Sequence, residues 1–211
     1  LHLARAESNL SKPKINLETL SREIEQLLVD KNPRGMRTLH DAIEPGSYLR
    51  AAQLINDNLG KIFIGTGFPV NNTFETDGPV GAIALYNAIK ELGGDPVIIC
   101  ENPLLSLLEG SFNTCEIQPN ENSAAQLLKK YQPSLIISIE RPGKASDGEY
   151  YNMRGVNITS RCADFDSIVQ NADCPTVCIG DGGNEVGMGN VNTVLQKLNI
   201  NPSITSCDEL I

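Results

Sequence analysis

The sequence has no tryptophan and only two histidines, His2 and His40, so a zinc site of His and Cys ligands has little material. Its six cysteines, Cys100, Cys115, Cys162, Cys174, Cys178 and Cys207, form no Cys-x-x-Cys pair. Several sit in apolar runs, where a free thiol behaves as a small hydrophobe, which favours a reducing compartment over secretion. No apolar run approaches the roughly 20 residues of a membrane-spanning helix; the longest cover 97–100 and 135–139. Cations are scarce too. The 17 Lys and Arg face 26 Asp and Glu in 211 residues, a formal charge of −9, which argues against a nucleic-acid or anionic-membrane surface. There is no Gly-x-Ser-x-Gly elbow and no credible Ser-His-Asp or Cys-His set; a lone His40 before a turn reads as a structural hydrogen-bonder. The first 14 residues lack a basic start, an apolar stretch and a cleavage site, and the chain does not begin with Met, so a fragment or trimmed chain is expected.

What is present is a composition able to bury a core: 40% apolar residues plus 18 glycines. The length predicts one α/β unit over 46–211, preceded by a helical extension and linker over 1–45. From Asn16, a residue placed to cap, Leu17, Leu20, Ile24, Leu27 and Leu28 recur at helical spacing. A second helix follows Pro45-Gly46, with Ser47 as N-cap and Leu49, Ala52 and Ile55 on one face. The pattern then changes to short, β-branched, apolar runs at 62–64, 97–100, 135–139 and 176–179, of the kind found in strands covered on both faces. Helix-like segments at 79–92, 122–131 and 190–198 lie between or after them. Strands alternating with helices predict right-handed crossovers and a mostly parallel sheet.

Eleven of the 18 glycines fall in three loops, 65–78, 140–155 and 180–190, each directly after a predicted strand. In open parallel sheets ligands bind outside the carboxyl ends of strands, so the three loops should share one site. The first loop opens Gly65-Thr66-Gly67, but Phe68 and Pro69 replace the tight entry into a helix and the third glycine of a dinucleotide fingerprint is missing. No NAD is therefore expected. Asp77 before Pro79 reads as a helix cap that can also face a ligand. The second loop carries Arg141, Lys144 and Arg154, the densest cationic group in an acidic chain; guanidinium forks suit carboxylates or phosphates, so a small anionic substrate fits. The alternative is that these cations neutralise Glu140, Asp147 and Glu149. Tyr150 and Tyr151 read as packing. The third loop frames Asp181, Asn184, Glu185 and Asn190 with five glycines in eleven residues. These are hard oxygen ligands suited to Mg²⁺ or Mn²⁺, with phosphate cradling as the competing reading.

Three motifs together resemble one family. The runs GTGFPV and ETDGP within 65–79, SIERPGKASDGEYYNMRG at 138–155 and IGDGGNEVGMGNV at 179–191 are similar to the D-glutamate cyclase C-terminal-like domain, found in bacteria and as the C-terminal half of a mitochondrial animal enzyme. The likeness runs from about residue 30 to the end. It implies a Rossmann-like three-layer sandwich and the interconversion of D-glutamate and 5-oxo-D-proline with loss or gain of water, a lyase reaction on an acidic amino acid. Family members continue with a Ser-Asn-Trp-Gly and a Val-Asp-Gly segment, whereas this chain stops at Ile211 in what reads as the start of a strand; part of the site is expected beyond it.

The reaction so implied assigns Arg141 and Arg154 to substrate carboxylates. Asp77, Asp181 and Glu185 would serve as acid and base or hold a divalent ion, the ion falling to Asp181 and Glu185. Lys144 and loop amides would stabilise an oxyanion. Further substrate contacts are expected from Gly65, Thr66, Gly67, Glu140, Asn152, Gly182, Gly183 and Asn184. The rival reading is a module without chemistry of its own that binds an acidic amino acid or a nucleotide. The expected location is the cytoplasm in a bacterium and the mitochondrial matrix in an animal.

Overall fold

The computed structural model describes residues 15–31, 35–118, 123–198 and 200–211. In chain order the elements are α1 (Leu17–Val29), α2 (Met36–His40), α3 (Ser47–Asp57), β1 (Lys61–Thr66), β2 (Pro69–Val70), β3 (Thr73–Phe74), α4 (Asp77–Glu91) and β4 (Asp95–Cys100). There follow α5 (Leu104–Leu108), β5 (Thr114–Glu116), α6 (Ser123–Tyr131), β6 (Leu135–Ile139), α7 (Asp166–Gln170), β7 (Thr176–Ile179), α8 (Asn192–Leu195) and β8 (Glu209–Leu210). Six strands form one sheet in the order β5-β4-β1-β6-β7-β8, every pair parallel. Counted along the sheet's own strands this is 3-2-1-4-5-6, the doubly wound order.

Period-two alternation explains the two cores. Phe63, Val97, Ile99 and Ile136 point to one face, where Leu127 of α6, Ile168 of α7 and Leu195 of α8 cover them. Ile62, Ile64, Ile98 and Ile137 point to the other, beneath Ala51 of α3, Ala82 and Ile89 of α4 and Leu104 of α5. Helix, sheet and helix make three layers, as the alternating pattern predicts. β5 and β8 carry too few apolar residues to stand out, and α2, α5 and α7, of five residues each, are too short to show a period. Among the described residues no helix is long and apolar enough to cross a membrane.

The first helix forms as its spacing predicts, with an unexpected orientation, and one reading of the next long helix is corrected. Asn16 does cap α1, its Oδ1 accepting from the amides of Glu18 and Thr19, but the apolar stripe faces outward: Leu17, Leu27 and Leu28 are exposed while Ser21 and Glu25 are buried. The reason lies at α3, whose N-cap is Gly46 (φ +93°), a residue without a capping side chain. Glu25 supplies the missing acceptor, taking the amides of Gly46 at 3.0 Å and Tyr48 at 3.4 Å, while Ser21 accepts from Leu49 N at 3.0 Å. Free helix N-terminal amides thus draw the polar face of α1 inward. In α3 itself Ser47 is the first helical residue rather than the cap, and Ala51, not Ala52, is buried.

Candidate active site

The switch point of the sheet lies between β1 and β6, where the chain leaves neighbouring strands in opposite directions, and the loops after β1, β6 and β7 meet beside it. At the end of β6, Glu140 takes a left-handed backbone, φ +48°, which non-glycine residues adopt seldom. It abuts the first turn of α4: a Cβ on Gly78 would lie 2.8 Å from that of Glu140. Burial pushes the Glu140 carboxyl up to about 9, reinforced by repulsion from Glu185, Asp181, Asp77 and Glu75. The third loop folds back on the second through a bridge between Glu185 and Pro142. Glu185 is buried and accepts from Gly183 N at 2.7 Å. Burial raises its carboxyl to about 7; its own amide and those of Gly183 and Gly182 pull it down, and Asp181 pushes it up. One carboxylate oxygen each from Glu140, Asp181 and Glu185 lie within 4.8 Å of one another.

Asn184, 2% exposed, is held by its Nδ2 donating to Tyr151 O at 2.7 Å, while its buried Oδ1 has no hydrogen-bond partner. Gly182 leaves room for it: a Cβ there would lie 2.7 Å from Glu185 Oε1 and 2.8 Å from Asn184 Oδ1. These groups border a cleft of about 580 Å³ between the β2–β3 hairpin and the second loop, with Arg154 and Arg161 on its wall beside Asp181, Asn184 and Glu185. On the other side Glu140 and Asp181 border an apolar chamber of about 240 Å³ beneath α1 and α2, lined by Leu28, Met36, Leu39 and Met188.

Residues 24–211 match the family described as D-glutamate cyclase-like, C-terminal. The chain belongs to this family. It is 28% identical to the human protein "D-glutamate cyclase, mitochondrial" over 236 aligned residues, covering 98% of this chain and 38% of the human protein. The chain therefore spans well under half the length of that relative.

Within this cyclase-like domain the expected site residues divide. Asp181, Glu185 and Glu140 cluster, and Asn184, Asn152 and Arg154 share the cleft with two of them. Asn152 shapes the loop as well, its Oδ1 accepting from Arg154 N and Val156 N. Asp77 is not the cap of α4 but its first residue, after Thr76, and its carboxylate accepts from Gly78 N at 2.9 Å. Gly182 and Gly183 (φ +92°) support the third loop.

The others point elsewhere. Arg141 is 1% exposed and faces inward: its guanidinium donates to both oxygens of Glu101 at 2.5 Å, to Thr66 O at 2.9 Å and to Ala163 O at 3.2 Å, and lies over the Phe165 ring. Lys144 is tied to Asp164 at 2.6 Å. Gly65 is a packing position, since a Cβ there would strike the Phe165 ring. Gly67 (φ +109°) makes the turn into the hairpin, whereas Thr66 is buried with its Oγ1 beside Gly78, next to Glu140. Asn190 pairs with the backbone of Cys207 in both directions. Arg161, Glu75 and Glu101 escape sequence reading: Arg161 ends a three-residue 3-10 turn and donates to Thr73 O at 2.8 Å, neither it nor Glu101 lies in a glycine-rich loop, and Glu75, though inside the first loop, has no local feature that singles it out.

Proposed function

We propose that this chain interconverts D-glutamate and 5-oxo-D-proline plus water, as a lyase. The observation that carries the reading is the make-up of the cleft: two guanidinium groups, Arg154 and Arg161, line it together with the carboxylates of Asp181 and Glu185, in a chain of the D-glutamate cyclase-like family. An acidic amino acid has the complementary charges, carboxylates for the arginines and an ammonium for the acids. Ring closure forms a bond from the amine nitrogen to the γ-carbon and breaks one γ C–O bond; two ammonium protons leave with that oxygen as water. A carboxylate beside the ammonium takes the first proton and delivers it to the departing oxygen, while the arginines hold the chain of the substrate folded. Asp181 and Glu185 border the cleft and are assigned this traffic, and Asp77 stands at the mouth of α4. The reading implies a cytoplasmic protein in a bacterium and a matrix protein in an animal.

Chiral chromatography of the folded chain incubated with D-glutamate, and separately with 5-oxo-D-proline, tests this. Conversion in both directions is expected, and Arg154→Ala should raise KM by about 10-fold or more, the loss of one charge-assisted contact. Saturable binding of D-glutamate without turnover by folded protein would overturn the lyase reading in favour of a binding module.

A further inference from the structure

We propose that Glu140, Asp181 and Glu185, with the side-chain carbonyl of Asn184, form a site for one hard divalent cation of the Mg²⁺ or Mn²⁺ kind. Three carboxylates alone would not make a site, because acidic clusters are common on protein surfaces. Here a second group points the same way. Asn184 is 2% exposed, its amide nitrogen is fixed on Tyr151 O, and its Oδ1 is buried without a donor. An orphaned buried acceptor is unfavourable because its lost hydration is not replaced, a cost that a cation would remove. Oδ1 converges with Glu185 Oε1 on the space over Gly182, where any larger residue would intrude.

The spacing is close to what the ion needs. Oxygens on opposite sides of an octahedral Mg²⁺ or Mn²⁺ are about 4.2 Å apart, and the three carboxylate oxygens lie within 4.8 Å of one another. Each carboxylate offers one oxygen to the cluster, and Glu185 is fixed there by Gly183 N, which donates to its Oε2. All four ligand types are hard oxygens, with no thiol or imidazole in the group, which selects against zinc. Glu140 adds to the pair expected from the sequence. What the cation would do for the reaction rests on the lactam reading above: three carboxylates repel a dicarboxylate, and a divalent ion would offset two of those three charges and polarise the γ-carboxyl. Whether it binds does not rest on that reading.

The test is a Mn²⁺ titration followed by electron paramagnetic resonance, in which the free-ion signal falls as the ion is taken up. One ion per chain, displaced by Mg²⁺, is expected, with affinity lowered about 10-fold or more in Glu140→Gln and in Asp181→Asn. Asp181 is exposed, so its variant reports on the site even where Glu140→Gln disturbs folding. No saturable uptake by the folded chain, or uptake unchanged in Asp181→Asn, overturns the proposal. Turnover plays no part in the readout: Mn²⁺ binding without lactam formation would sink the lyase reading and leave the cation site standing.

Discussion

Arg141 is the largest of the fully buried side chains among the described residues, and its charge is matched by one carboxylate, two backbone carbonyls and an aromatic face. Burial works against its charge but the adjacent Glu101 outweighs it, so the guanidinium is held protonated more firmly than usual. Removing the acid would strand a cation in the interior, and breaking a buried pair from one side costs about 3–5 kcal/mol. Glu101→Gln should therefore lower the unfolding free energy by about 3 kcal/mol, read as a lower urea midpoint at unchanged slope. A loss below about 0.5 kcal/mol would show that the pair is solvated in solution. The same residue shows where sequence reading of the site stops. An arginine in a glycine-rich loop of an acidic chain reads as an anion binder; its partner lies 40 positions away at the end of another strand, and nothing local records that the side chain turns inward. Glu140, Asp181 and Glu185 were legible as oxygen-bearing loop residues, because strand ends and glycine runs mark the loops. That Glu140 joins the other two, and that Arg161 lines the cleft, depends on tertiary approach alone.

At the scale of elements, the long periodic segments were legible: α4, α6, β1, β4, β6 and β7 are set by their own residues. The orientation of α1 was not, because its polar face is drawn inward by amides that belong to α3. Glu25 is the centre of that contact. Burial pushes its carboxyl up, but the Gly46 amide, the Ser21 hydroxyl and the Tyr48 amide together outweigh this, and the net direction is down from 4.5. A depressed folded-state value means that protonation favours the unfolded chain. The stabilisation is fully present above the unfolded value near 4.5 and is lost as pH falls through the lower folded value. Glu25→Gln should flatten that part of the acid limb in a comparison of urea midpoints between pH 6 and about 3. At neutral pH Glu25→Ala should cost about 1–2 kcal/mol, the worth of a helix cap. An acid limb in the variant as steep as in the parent would assign the pH dependence to other carboxylates.

The whole molecule has the strand order of a dinucleotide-binding sheet with the charges of its switch point reversed. In such folds a pyrophosphate sits on the amides of the helix after the first strand, and an acid at the end of the second strand takes a ribose hydroxyl. Here the first position is crowded by carboxylates: Asp77 lies in the opening turn of α4, Glu140 packs against Gly78, and Glu75 is close enough to raise the Glu140 carboxyl. The second position is Glu101, just past β4, and both its oxygens accept from Arg141 while Oε1 also accepts from Ala163 N at 2.7 Å. The β2–β3 hairpin fills the path from Gly67 to α4, so the helix starts about ten residues later than a glycine-rich phosphate turn requires. An anion is repelled where a dinucleotide needs attraction, while the carboxylates themselves gain from the positive end of α4. NAD at about 100 times an ordinary Kd would stabilise a binding protein by about 2.7 kcal/mol; for this chain the thermal midpoint should not move with NAD, and should rise with Mn²⁺. A midpoint that rises with NAD would show that the hairpin opens and that the Arg141–Glu101 pair yields to a ribose, and the assignment of the switch point to a cation would fall with it.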